Sequence, residues 1–268
     1  MNCVLFVCAL VALCISQSVS FSLNGGLKSS LRTRNVKQMD LQMINPVVAK
    51  LAAVPVMYTL MSVNEYVTHR WYQHAEIMKL KFYKMLNGPK IRGGGHVEHH
   101  AETLDDMSLR TDDAWIKSPA SKMLNDDKFR GTAFTWAVTG LMTIQMLPSV
   151  IPIFTKVLGF SVQNTLLMLA PSMLLHALVW NCLHPAMHGL EDVGVKEGAP
   201  SSWLARIKSS KYFEFIYKNH QGHHVMGGQG NYNVCCPMTD HLCGTYVPEA
   251  EWRPRMRPVI MQENAVVA

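Results

Sequence analysis

The chain has 268 residues, and 25 Lys and Arg against 19 Asp and Glu give it a formal charge of +6. Charged residues are 16% of the total and hydrophobic ones 49%, against roughly 25% charged in an average soluble domain. That excludes a disordered chain, and it leaves too little charge for a phosphate-tracking stripe, so no nucleic-acid partner is expected. Of the seven cysteines, Cys3, Cys8 and Cys14 lie in an N-terminal apolar run. Cys182, Cys235, Cys236 and Cys243 form no CxxC pair, so they read as reduced apolar fillers and not as a zinc ribbon or disulfide scaffold.

Residues 1–20 carry no charge, with an apolar core from Val4 to Ile15 and a small-x-small pattern at Ser18-Val19-Ser20. Spanning a bilayer takes about 20 apolar residues, so this segment reads as a cleaved signal peptide. Across residues 21–45, Lys28, Arg32, Arg34 and Lys37 precede the first acid, Asp40, which is a transit-peptide-like composition. With Phe21 at the cleavage point, the pair of segments resembles the bipartite leader of plastid proteins in algae with complex plastids. A plastid membrane is therefore the expected address, with the endoplasmic reticulum membrane as the alternative.

Three apolar stretches follow. Pro46–Val63 is interrupted only by Lys50 and continues as a helical pattern to Tyr66; Gly131–Phe154 and Val157–Leu190 carry no charge in their apolar cores. The last two read as a transmembrane hairpin turning near 148–162, where Pro148, Pro152 and Gly159 punctuate the chain. The expectation is an all-α integral membrane protein. Residues 70–130 and 184–268 then share one aqueous face, which holds Lys79, Lys81, Lys84, Lys90, Arg92, Lys122, Lys128, Arg130, Lys208 and Lys211, while Lys156 lies opposite. The excess of positive charge puts the shared face in the cytosol or stroma.

Ten of the 12 histidines fall on that face in four groups: His69 and His74; His96, His99 and His100; His184 and His188; His220, His223 and His224. On a helix, positions i, i+3 and i+4 share a face, so each HxxHH triad would converge. Pro185 suits the first turn of a new helix after His184. The i, i+5 pair His69 and His74 diverges on an ideal helix and needs a π-bulge or a helix end. Imidazole suits Fe, Zn, Cu or Ni. Ten are too many for one ion, and two ions with four or five imidazoles each account for them. No cysteine lies within the groups, which disfavours structural zinc.

The order HxxxxH, HxxHH, HxxxH, HxxHH resembles the membrane-bound fatty acid hydroxylase and sterol desaturase superfamily, closest in motif order to fatty acid and sphingolipid hydroxylases. Asn64-Glu65-Tyr66-Val67-Thr68-His69-Arg70 matches a Glu-aromatic-x-x-His-Arg pattern of those hydroxylases. Asn231-Tyr232-Asn233 and Asp240-His241-Leu242-Cys243-Gly244-Thr245 match the Asn-aromatic-Gly and Asp-x-x-x-Gly-Thr signature, with Asn233 where Gly is usual. The resemblance covers roughly 46–247 and leaves 248–268 as a polar tail.

It implies a histidine-rich catalytic cap on one face of the bilayer, holding two iron ions with the ten histidines as ligands; zinc could occupy the same imidazoles in isolated protein. It also implies O2 as co-substrate and a C–H bond of a fatty acyl lipid or sterol as target. Glu65, Asn231 and Asp240 would be the residues that orient the imidazoles through their free N–H groups. His176 and His241 stay outside the ligand set. No haem or flavin domain is visible, so electrons would come from a donor protein, ferredoxin in a plastid or cytochrome b5 at the endoplasmic reticulum. The same oxidant could desaturate, and a carotenoid hydroxylase is a further possibility, although those enzymes usually show four residues inside the third motif where this chain has three. The rivals from other classes are a metal transporter or metal-binding membrane protein, a zinc hydrolase, which lacks its HExxH here, and a catalytically inactive relative.

Overall fold

A computed structural model describes residues 45–126, 129–134, 136–190, 193 and 200–259. The expected leader segments, apart from Asn45, and the end of the polar tail lie outside the described residues. All regular elements among the described residues are helical; Thr103 and Leu109 form one isolated bridge.

Helix α1 (Pro46–Tyr66) starts at Asn45, whose Oδ1 accepts from the Val47 N–H at 2.9 Å, with Pro46 in the first turn. It continues without a break into a π-helical stretch, Val67–Gln73. The expected end near His69 is therefore about one turn early. Helix α2 (His96–Glu102) carries the first triad. Helices α3 (Trp136–Pro152) and α4 (Val162–Leu178) form the hairpin, and each ends in a π-helical stretch, Ile153–Val157 and Val179–Leu183. Helix α5 (His184–Met187) follows directly, with Pro185 in its first turn. Helix α6 (Lys211–Val225), capped by Ser210, carries the second triad, and α7 (Met238–Cys243) the Asp240 segment.

The hairpin turn is tighter than the sequence suggested. Pro148 and Pro152 lie inside α3, and the reversal falls between the π-helical stretch ending at Val157 and Ser161, which caps α4. Gly159 supplies the left-handed residue there, at φ +75°.

Three continuous helical stretches, Pro46–Gln73, Val138–Val157 and Val162–Met187, are long and apolar enough to cross a membrane. Their inward faces share one core in which Met57, Met61, Met142, Met146 and Met173 are buried and Met168 packs at the edge. These methionines fill gaps between helices. Their outward faces are apolar as well: Leu51, Val54, Leu141, Ile144, Leu167 and Leu174 are all exposed. Cys182, Cys235 and Cys236 are free and buried.

Candidate metal centre

All ten histidines converge in two adjacent groups of five. His69, His74, His96, His100 and His223 form the first, and His99, His184, His188, His220 and His224 the second; within each, one ring nitrogen per residue lies within 4.8 Å of all the others. The triads do not stay whole. Helix α2 gives His96 and His100 to the first group and His99 to the second, while α6 gives His220 and His224 to the second and His223 to the first. Each group thus takes one pair, the i, i+4 members of one triad and the i+3 member of the other. His100 and His224 stack across the boundary at 4.1 Å.

The π-helical stretch solves the i, i+5 problem. The His74 N–H donates to the His69 carbonyl at 3.0 Å, an i to i+5 bond that widens the turn and aligns the two rings. Helix α2 is seated against this stretch through Gly93, at φ +66°, where a Cβ would lie 1.9 Å from the Gln73 carbonyl oxygen. The glycine run before the triad is therefore a close contact as well as a loop.

The second ring nitrogen fixes the chemistry of the first. His69 Nδ1 faces the Tyr232 carbonyl, His96 Nδ1 the Gly131 carbonyl at 3.1 Å, His223 Nδ1 the Gly230 carbonyl and His184 Nδ1 the Thr132 carbonyl. A carbonyl only accepts, so each of these Nδ1 atoms carries the proton and each Nε2 is a bare lone pair. Yet His69 and His96, both fixed with the proton on Nδ1, turn their Nε2 lone pairs on each other at 2.8 Å. The same close Nε2 approach recurs at His96–His100, 3.2 Å, and in the second group at His184–His220, 2.7 Å. Facing lone pairs repel unless a cation lies between them. Donors about 2.1 Å from an ion and at right angles stand about 3 Å apart, which is the observed spacing. That spacing, with five ring nitrogens within 4.8 Å of one another in each group, fits a metal ion in both.

The surroundings keep the imidazoles neutral and available. Burial, followed by the positive charge neighbouring rings would carry, lowers His96 to about 3. Burial alone outweighs the Gly230 carbonyl and lowers His223 to about 4. His99, His100, His188, His220 and His224 are held well below the ordinary value for the same leading reason. His74 and His100 are only partly buried, so the first group is the side that opens outward.

Glu65, Asn231 and Asp240 are not hydrogen-bonded to any of the ten rings. They act one step further out, on the backbone whose carbonyls hold the rings. Glu65 accepts from Trp180 Nε1 at 2.8 Å and from the Val234, Cys235 and Cys236 N–H groups, and Asn233 Nδ2 donates to it. Asp240 accepts from the Tyr232 and Asn233 N–H groups at 3.0 and 2.6 Å, and burial raises it to about 6 despite them. Asn231, at φ +47°, exchanges hydrogen bonds with the Val247 backbone. Together these side chains fix the 230–236 segment and so the Gly230 and Tyr232 carbonyls. A carboxylate cannot do this by touching the rings, because its lone pairs are already taken by backbone donors.

Sequence reasoning missed those carbonyls and Trp180, whose ring meets His69 at 5.0 Å and His184 at 4.9 Å edge-on. Trp180 precedes His184 by one helical turn, the one signal that pointed to it. His176 is buried 4.0 Å from Glu65, and His241 stacks on Tyr246 at 3.9 Å; neither joins a group. Comparisons of the chain with known protein families, with curated proteins and with solved structures found no match.

Proposed function

We propose that the chain is an integral membrane, O2-dependent di-iron lipid hydroxylase of the fatty acid hydroxylase and sterol desaturase type. The observation that carries this reading is the pair of five-imidazole groups with converging ring nitrogens. Five nitrogen donors per ion exceed the four of structural zinc, and two adjacent metals are a known catalytic device. The three apolar helices with apolar outward faces support membrane insertion, and a lipid is the substrate that a site at their ends would meet.

Two iron ions, with O2 and two electrons, supply an oxidant able to attack an unactivated C–H bond. The balance is one C–H bond broken and one C–O and one O–H bond formed, with two electrons and two protons converting the other oxygen atom to water. The chain's part is to hold the ions through Nε2 atoms, to fix the rings through backbone carbonyls, and to keep the second group dry by burial. Electrons come from a separate donor, ferredoxin in a plastid membrane or cytochrome b5 in the endoplasmic reticulum.

The test is lipid mass spectrometry under heavy-isotope oxygen in a host making either the wild type or His99→Ala/His100→Ala. One labelled oxygen in a lipid only with the wild type is the expected result. A lipid that loses two hydrogens instead moves the assignment to desaturase. No lipid difference, with folded protein and a supplied donor, transfers the weight to metal handling.

A further inference from the structure

Two cavities adjoin beside the first histidine group. One, of about 310 Å³, is apolar and lies between the π-helical end of α1 and the first half of α3, with Val67, Trp71, Leu141 and Met142 in its wall. The other, of about 570 Å³, is a polar vestibule whose inner wall includes His74. Ile91 belongs to both walls, so the two spaces are neighbours.

Lys79, Lys84, Lys90 and Arg92 all stand around the vestibule, facing one wall carboxylate, Glu98. Glu76 lies 3.5 Å from Lys79, and Lys84, Lys90 and Arg92 are exposed. A surplus of positive charge thus sits beside an apolar slot, next to the partly buried candidate ligand His74.

We infer that the substrate is an anionic amphiphile: an acyl chain ending in a carboxylate or phosphate head, with the tail in the apolar cavity and the head among Lys84, Lys90 and Arg92. The inference rests on the lipid hydroxylase reading and narrows it. Neutral sterols and carotenoids would leave the cations unmatched. The chain passes His74 between head and tail, so the oxidised carbon lies near the head-proximal part of the tail.

The test is binding, independent of turnover. Full-length protein in neutral detergent is titrated with dibromostearic acid or dibromostearyl alcohol, matched in tail, at a pH where the acid is ionised. The readout is the part of the tryptophan quenching that disappears in Trp71→Phe. The acid binds roughly tenfold more tightly than the alcohol, and Lys84→Gln/Lys90→Gln/Arg92→Gln removes the difference while leaving alcohol binding intact. Equal affinities in the wild type overturn the inference. So does loss of the preference in a charge-matched remote triple, Lys117→Gln/Lys208→Gln/Lys211→Gln, which would mark a general surface-charge effect. If the vestibule variant keeps the lipid preference but no longer binds a small acidic redox protein, the cations serve the electron donor and the inference falls. Any of these failures alongside intact isotope incorporation leaves the hydroxylase reading standing.

Discussion

Glu65 shows how a single side chain governs the centre without touching it. Its Oε1 accepts from Trp180, Val234 and Cys235, and its Oε2 from Asn233 and Cys236. In Glu65→Gln, whichever oxygen becomes an amide NH2 faces N–H donors. Leaving buried donors unmatched costs about 1–3 kcal/mol each, so thermal denaturation should show a clear fall in Tm; an unchanged Tm would mean that the segment is held elsewhere. Gly228 offers a more local probe. It sits at φ +74°, and a Cβ there would lie 2.5 Å from His74 Cε1, whereas Gly227, at φ +62°, has nothing within 4 Å. Both alanine variants carry backbone strain, but only Gly228→Ala displaces a ring. Chelator competition should therefore show one metal weakened roughly 10–100-fold in Gly228→Ala and neither in Gly227→Ala. Equal loss in both would assign the effect to strain alone.

At the scale of elements, the two groups are built alike but anchored differently. Each draws its pair from a π-helical stretch or the short helix that follows one. In the first group His69, His96 and His223 are held at Nδ1 by carbonyls; in the second His184 is, while His99, His220 and His224 have no Nδ1 partner among the described residues. Outer hydrogen bonds raise ligand basicity and fix ring orientation. At equilibrium with a chelator, the second group should release its metal at roughly 10–100-fold lower chelator concentration, and His220→Ala should abolish that release and keep the other. Equilibrium is the measurement to make, because the partly open first group would favour fast exchange irrespective of affinity. Much of this was legible in the sequence: the four histidine spacings, the π-bulge or helix end that an i, i+5 pair needs, the three apolar stretches. The partition of each triad between two groups was not, since it depends on α2 and α6 facing each other. Nor were the carbonyl anchors, because a backbone carbonyl has no residue signature. The hairpin turn was drawn too wide because Pro148 and Pro152 read as breakers, whereas apolar helices of this kind tolerate proline within them.

Across the whole molecule, the burial of so many imidazoles couples metal-free stability to pH. The ordinary histidine value is 6.5, and in the fold His96 is lowered to about 3 and His223 to about 4, with His99, His100, His188, His220 and His224 lower than ordinary in the same way. Between pH 6.5 and about 4 the unfolded chain therefore binds protons that the folded one refuses. Stability rises with pH wherever the unfolded state holds more protons, so it must fall as pH drops through this window. Asp240 works in the opposite sense. Its value is raised from 3.8 to about 6, so between those limits the folded state holds the extra proton and acidification favours folding. One carboxyl against seven rings leaves the histidines dominant. Metal-free protein should lose Tm steadily from neutrality to about pH 4.5. Metal-loaded protein should resist at first, then fail more steeply, because protons and ions compete for the same Nε2 atoms. Chelator-treated and metal-loaded samples compared by thermal denaturation across this range would decide it. A flat profile for the metal-free protein would mean that the rings are already solvated, and the two convergent groups would not then exist without their ions.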